Sequence, residues 1–299
     1  MRAVVIDRFG GPEELHEAQV PDPRPGRGQV RVRVEAVGVN RVDGKIRSGL
    51  MGSPDTVFPL VLGLEAAGVV DELGEGVSDV AVGERVVGFA EGGAYAELAV
   101  LSTYAVLPDS LDATVAVSLP VAGETARRVL RLLDLSAGET LLVHGASGAV
   151  GEVVTQLAVA GGATVIGTAS AANQERVEAL GATSTTYGEG WLDRVRALAP
   201  GGVDAVLDVS GAGVLDGSVE LLGSADRLVT IADPAAFTKS ITFSGTSERS
   251  ASELAELVAQ RASGEVTTTI SRVLPLAEAA SAQELSDSGR AGGKLVLLP

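Results

Sequence analysis

The chain of 299 residues has no cysteine, which excludes disulfides, zinc thiolate sites and cysteine nucleophiles. Aromatic residues are scarce at 3%, so aliphatic and small side chains supply most of the 45% hydrophobic content. That balance suits parallel strands packed under helices. No stretch approaches the roughly 20 consecutive apolar residues needed to span a bilayer. The N-terminal run Ala3-Val4-Val5-Ile6 is too short for a signal peptide and stops at Asp7 and Arg8. Positive charge is also short, with 23 Lys and Arg against 39 Asp and Glu and a net charge of −16. Nucleic acid and anionic membranes would be repelled. The expectation is a cytoplasmic protein with a small-molecule partner.

What is present divides in two. From Met1 to about residue 110, short strand patterns alternate with glycine and proline turns. Val30, Val32 and Val34 alternate with Arg31, Arg33 and Glu35, the period of a half-buried strand. Further strands are expected at Ala67 to Glu72, Arg85 to Phe89 and Ala94 to Val100, giving a small antiparallel barrel or sandwich. After Pro120, helical patterns at Ala122 to Leu133, Val150 to Val159 and Asn173 to Leu180 alternate with strands at Thr140 to His144, Thr164 to Thr168, Val203 to Val209 and Arg227 to Ile231. Alternation of this kind predicts right-handed βαβ units and a parallel sheet. Strands at Thr267 to Ile270 and Lys294 to Leu298 are expected to return to the first domain. The expected domains are 1–113, completed by 265–299, and 114–264.

The centre of the second domain is Leu141-Leu142-Val143-His144-Gly145-Ala146-Ser147-Gly148-Ala149-Val150-Gly151. An apolar strand enters a glycine turn and leaves as a helix, a junction whose amides and dipole suit a dinucleotide pyrophosphate. The G-x-G-x-x-G pattern is imperfect, because Ala146 stands at its first glycine. Tight strand-to-helix packing alone would also use these glycines. At the end of the second strand, where an NAD-binding fold often carries an acid for the ribose, the sequence reads Thr168-Ala169-Ser170-Ala171-Ala172-Asn173. Ser170 and Asn173 can hydrogen-bond a 2′-phosphate and Arg176 can pair with it, which favours NADPH over NADH. The plain alternative makes Arg176 a solvated helix residue. His144, inside an apolar strand, reads as a satisfied core histidine.

Several segments coincide with one family. Gly38-Val39-Asn40-Arg41-Val42-Asp43, Pro59 to Val70, Gly83 to Gly88, Gly93 to Glu97, Leu119 to Ala126, the Ala146 to Gly151 turn and Gly293-Lys294 resemble the zinc-free medium-chain dehydrogenase/reductases, in the quinone oxidoreductase (zeta-crystallin-like) branch. The resemblance spans nearly the whole chain. It implies an α/β fold, a Rossmann doubly wound parallel sheet joined to a GroES-like β-barrel, and a homodimer. Zinc relatives carry cysteine and histidine ligands in the segments held here by Asn40 and Gly63-Leu64-Glu65, so no metal is expected.

The resemblance also implies roles. Asn40 and Thr125 match positions near the nicotinamide and are the catalytic candidates. Gly148, Ala149 and Val150, in one turn with Ala146 and Ser147, match the pyrophosphate turn, Ser170 matches a 2′-phosphate contact beside the Asn173 read above, and Tyr187 matches a tyrosine that packs near the adenosine phosphate. Gly211, Ile231, Phe243 and Gly245 match segments lining the cofactor, and Lys294 matches a terminal cofactor contact. Where many relatives carry a tyrosine able to donate a proton, this chain has Leu50 and Met51. The expected activity is NADPH-dependent hydride transfer to a quinone or α,β-unsaturated carbonyl. An enoyl-thioester reductase and a non-catalytic NADPH-binding protein are the alternatives. Asp43 reads as a residue that positions a neighbour or caps a helix, and Tyr95 and Tyr104 as strand-packing residues.

Overall fold

A computed structural model describes residues 1–246 and 248–299. The chain forms two compact units, residues 1–121 with 249–299 and residues 122–248. The first segment carries β1 (Arg2–Ile6), β2 (His16–Gln19), β3 (Val30–Val39), α1 (Arg41–Arg47), β4 (Leu60–Val61), β5 (Glu65–Leu73), β6 (Arg85–Glu91), β7 (Leu98–Val106) and α2 (Ala113–Ala116). Helix α3 (Pro120–Leu133) leads into the second unit. There follow β8 (Thr140–His144), α4 (Ala149–Ala160), β9 (Thr164–Ala169), α5 (Gln174–Ala179), β10 (Thr183–Thr186), α6 (Trp191–Leu198), β11 (Ala205–Asp208), α7 (Leu215–Leu222), β12 (Leu228–Thr230) and β13 (Thr242–Phe243). The tail adds α8 (Ala251–Ser263), β14 (Ile270–Pro275), α9 (Ala279–Asp287) and β15 (Lys294–Leu298) to the first unit.

The first unit is built around a strand order β14-β15-β3-β5-β6-β7, with β3 also pairing β7. That extra pairing closes β3, β5, β6 and β7 into a ring, which removes their free edges. A smaller antiparallel sheet, β2-β1-β4, completes the unit. The core is aliphatic, with Val30, Val32, Val86, Leu101 and Leu297 all fully buried. Each such side chain contributes roughly 1.5–3 kcal/mol. β15 pairs antiparallel with β3, Leu295 opposite Val39. That register brings residue 294 to the end of β3, where Asn40 begins α1.

The second unit is one parallel sheet in the order β10-β9-β8-β11-β12-β13. The chain runs outward from β8 through β9 to β10, then returns and runs the other way from β11. The order therefore reverses between β8 and β11, the place where open α/β sheets bind ligands. The Gly145 turn and the Val209 to Gly211 loop leave the sheet at this point.

Several expected boundaries move. The strand expected at Ala94 to Val100 lies at Leu98–Val106, because Ala94 to Ala96 make turn-like bonds to Leu62 and to one another. Thr267 to Thr269 precede the strand, which starts at Ile270. The edge strand β13 is confined to Thr242–Phe243, because Asp233 caps a 3₁₀ turn over Pro234–Thr238. Helix 251–263, expected in the second domain, packs on β7 and belongs to the first.

Candidate functional site

The glycine turn is positioned by β8 and β9. The amides of Gly145 and Ala146 both donate to the Thr168 carbonyl, at 3.2 and 3.1 Å, locking the turn to the second strand. Gly145 has φ +85°, a conformation side chains rarely adopt. Gly148 caps α4, whose first-turn amides at Ala149 and Val150 have no acceptor one turn back. A Cβ built on Gly148 would meet nothing closer than the Gly145 carbonyl at 3.4 Å. On Gly151 it would lie 2.3 Å from that same oxygen and 2.8 Å from Ala146 Cα. One glycine keeps space open, while the other lets helix and strand pack. A pyrophosphate fits the arrangement at Gly148: open volume, donors and the positive end of a twelve-residue helix.

Around the turn lie the other expected residues. Ser147 Oγ accepts from Asn173 Nδ2 at 3.4 Å, and its carbonyl accepts from Arg176 Nη2. Arg176 also meets the buried Glu152 carboxylate at 3.2 Å. This arginine thus braces the turn from α5. Ser170, partly exposed, sits at the C-terminal tip of β9. Tyr187 is 59% exposed just beyond β10.

Across the switch point, Asp208 is fully buried at the end of β11. Its carboxylate accepts from the Ser210 amide and hydroxyl, the Gly211 amide and the Thr230 hydroxyl, at 2.9, 2.7, 3.1 and 2.9 Å. It thereby shapes the loop carrying Gly211, and its carbonyl accepts from the Ile231 amide. His144 ends β8 between the hydroxyls of Thr168 and Ser218, edge-on to Trp191 at 4.6 Å. Burial pushes its pKa down to about 4, with the Asp208 charge opposing, so the ring is neutral at pH 7. It is a satisfied core histidine.

Thr125 is buried on α3 and accepts from Arg128 Nη2 at 3.4 Å. Arg128, itself buried, is held by Glu124 at 2.7 Å and reaches Ser244 Oγ. The guanidinium therefore ties the segment Phe243 to Gly245 to the helix bearing Thr125. Phe243 stacks on Phe237 at 4.8 Å, and Gly245 is exposed.

The first unit holds Asn40 and Lys294 in a buried polar network. Lys294 Nζ donates to Asn40 Oδ1 at 2.7 Å and to Glu65 Oε1. Asn40 Nδ2 donates to the same Glu65 oxygen at 2.8 Å, and Glu65 Oε2 accepts the Val121 amide at 2.8 Å. Lys294 and Glu65 are 1% and 0% exposed, while Asn40 is only partly buried. Asp43 accepts from the Asn40 amide at 2.9 Å and from Tyr95 Oη at 3.1 Å. Burial pushes the Asp43 carboxyl up to about 7, against the Asn40 amide and the Lys294 charge, which favour its ionised form. Burial, helped by the Asp43 charge, drives the Tyr95 phenol well above its usual value, so it acts as a neutral donor. Gln283 Nε2 donates to Tyr95 Oη at 3.3 Å, and Arg47 joins Gln283 to Asp287. Asp43 thus caps and positions, while Tyr104 bonds Asp79 at the surface. Leu50 and Met51 are 74% and 47% exposed.

Glu65, Glu152, Asp208 and Arg128 were not among the expected functional residues. For Glu65, Glu152 and Asp208 the signal was readable, a charge inside an otherwise apolar run, which must find a partner to be buried; Arg128, between Arg127 and Arg131 on a charged helix, carries no such mark. Among the described residues, no three His, Cys, Asp or Glu side chains converge to hold a metal, and no helix is long and apolar enough to cross a membrane.

Comparison with known proteins converges on one group. The family described as alcohol dehydrogenase GroES-like domain matches residues 26–110, and that described as zinc-binding dehydrogenase matches residues 180–297. Quinone oxidoreductase of Rattus norvegicus is 33% identical, across all of this chain and 98% of its own. The solved quinone oxidoreductase from Coxiella burnetii superposes with a TM-score of 0.90 at 31% identity, covering 100% of this chain and 99% of that one. The Escherichia coli quinone oxidoreductase complexed with NADPH gives 0.86 at 27% identity, covering both chains completely.

Proposed function

Because the chain belongs to the quinone oxidoreductase branch of the medium-chain dehydrogenase/reductases, we propose that it transfers hydride from NADPH to a quinone or an α,β-unsaturated carbonyl. It is an oxidoreductase of a family that works with nicotinamide cofactors, so the non-catalytic reading is set aside. The observation that carries the proposal is the open volume at Gly148, facing free helix amides at the switch point of a parallel sheet.

The bound nicotinamide supplies the hydride; the protein supplies binding, orientation and electrostatics. Ala146 to Val150 hold the pyrophosphate through main-chain amides. Ser170 and Asn173 take the 2′-phosphate, the choice of NADPH resting on the missing acid at the tip of β9. Tyr187 packs near the adenosine, and Gly211, Ile231, Phe243 and Gly245 line the cofactor, with Thr125 near the nicotinamide. Asn40 offers an amide N–H to the oxygen on which negative charge develops. With Leu50 and Met51 exposed where a tyrosine acid would stand, the proton comes from solvent, which suits an oxygen product better than carbon. Phe237, 72% exposed near the edge strand β13, supports association into a homodimer through this sheet.

The test is NADPH oxidation against quinones, enones and crotonyl thioesters. Turnover of quinones or enones is expected, with NADPH preferred over NADH. Activity confined to thioesters would move the assignment to an enoyl reductase, and no turnover on any acceptor would overturn it. Sedimentation of the wild type and Phe237→Glu tests the dimer.

A further inference from the structure

We propose that Lys294 and Glu65 are positioning residues that act through Asn40, fixing its carboxamide so that nitrogen, and not oxygen, is presented to the acceptor. The inference rests on the hydride-transfer reading above and assigns Lys294 a role other than contact with the cofactor.

An asparagine side chain has two orientations of nearly equal shape. At Asn40 the neighbouring charges separate them. Oδ1 meets the Lys294 ammonium at 2.7 Å and Nδ2 meets the Glu65 carboxylate at 2.8 Å. Flipping the amide would set N–H against ammonium and carbonyl oxygen against carboxylate, two repulsive contacts among buried groups. The main chain is fixed as well, because the Asn40 amide is bonded to Asp43. One Nδ2 hydrogen is used on Glu65, which leaves the second as a donor on the only partly exposed residue of the three.

The pair is built in from several directions. Lys294 is brought beside Asn40 by the register of β15 on β3. Glu65 is anchored by the Val121 amide and lies where a Cβ on Gly38 would fall 2.2 Å from its Oε1. The glycine at 38 is thus the space that this carboxylate occupies. A buried ion pair is weak evidence for stability, and holding a third group in one orientation gives it a use. The ammonium is enclosed by these bonds and is 1% exposed, unlike a lysine that reaches for phosphate.

The experiment compares wild type, Lys294→Met, the charge-free pair Lys294→Met with Glu65→Gln, Lys294→Arg, Asn40→Ala and Lys294→Met combined with Asn40→Ala. The readouts are quinone turnover, NADPH affinity by fluorescence titration and the Asn40 side-chain amide resonances in ¹⁵N NMR spectra. The charge-free pair guards against misfolding from an unpaired buried carboxylate. Expected are a fall in kcat of about tenfold or more for the methionine variants, NADPH affinity within about twofold of wild type, and partial recovery in Lys294→Arg. The Lys294 and Asn40 effects should not multiply when combined, and the Asn40 resonances should shift or broaden. Weakened NADPH binding that multiplies with Asn40→Ala, or unchanged Asn40 resonances, would overturn the proposal. Should the wild type reduce no acceptor, the hydride-transfer reading fails, while the Asn40 resonances still decide whether the pair holds the amide.

Discussion

The two units prepare their working groups by opposite means. In the first, Asn40 is held by a surplus of interaction: an ammonium and two carboxylates, one of them braced by the Tyr95 phenol, all buried. In the second, the Gly145 to Gly151 turn works through missing side chains, leaving amides and open volume where an anion can sit. Precise placement of a side chain takes a dense polar network, since each buried polar group must be satisfied. Recognition of phosphate by backbone takes the reverse, since any Cβ would exclude the ligand.

The largest expected effect comes from breaking the turn where it is tight. Gly151→Val forces a side chain onto the Gly145 carbonyl and Ala146, and a cost of about 4 kcal/mol or more is expected. Thermal unfolding should report a midpoint at least roughly 8 °C lower, or no soluble protein. Gly148→Val, three residues earlier, should spare the fold and remove the ligand. NADPH affinity is expected to fall by about a hundredfold or more, about 2.7 kcal/mol, with an unchanged melting midpoint; unaltered affinity in a titration would defeat the pyrophosphate assignment.

Acid-base behaviour sharpens the same contrast, because one buried group in each unit is shifted, in opposite directions. Asp43, raised to about 7 from an ordinary 3.8, contributes stability that is full below its ordinary value and lost as pH rises through 7. His144, lowered to about 4 from 6.5, contributes stability that is full above 6.5 and lost as pH falls through 4. The slopes oppose each other between about pH 4 and 6.5. Asp43→Asn should therefore make stability climb more steeply with pH in that interval, and His144→Gln should tilt it the other way, as urea unfolding at several pH values would show. Parallel slopes in both variants would count against this division.

The smallest effect is expected from Tyr95→Phe. It removes one donor from Asp43 and the acceptor of Gln283, for a loss of about 1–3 kcal/mol. If the network holds Asn40 as argued, turnover should fall more than this modest loss of stability alone explains.

Much of this was legible in the chain. Alternation of Val30, Val32 and Val34 with charged residues marks β3, and the strand-turn-helix around Gly148 marks the parallel sheet and its ligand end. Both rest on period and on glycine, which are local. The brevity of β13 was hidden, because Asp233 capping a 3₁₀ turn decides where that strand can begin. Helix 251–263 carries no mark of the unit it joins, since an apolar helix face suits either core.

By itself, the sequence determined the fold class, the absence of thiol chemistry and the place of the glycine turn, because each follows from composition, spacing or short-range pattern, while the family came from the resemblance of whole segments. Only the tertiary structure decided that Lys294 and Glu65 close on Asn40. The partners lie 254 and 25 residues from it in the chain, and a buried ion pair exists only once strand register has brought its members together and removed them from water.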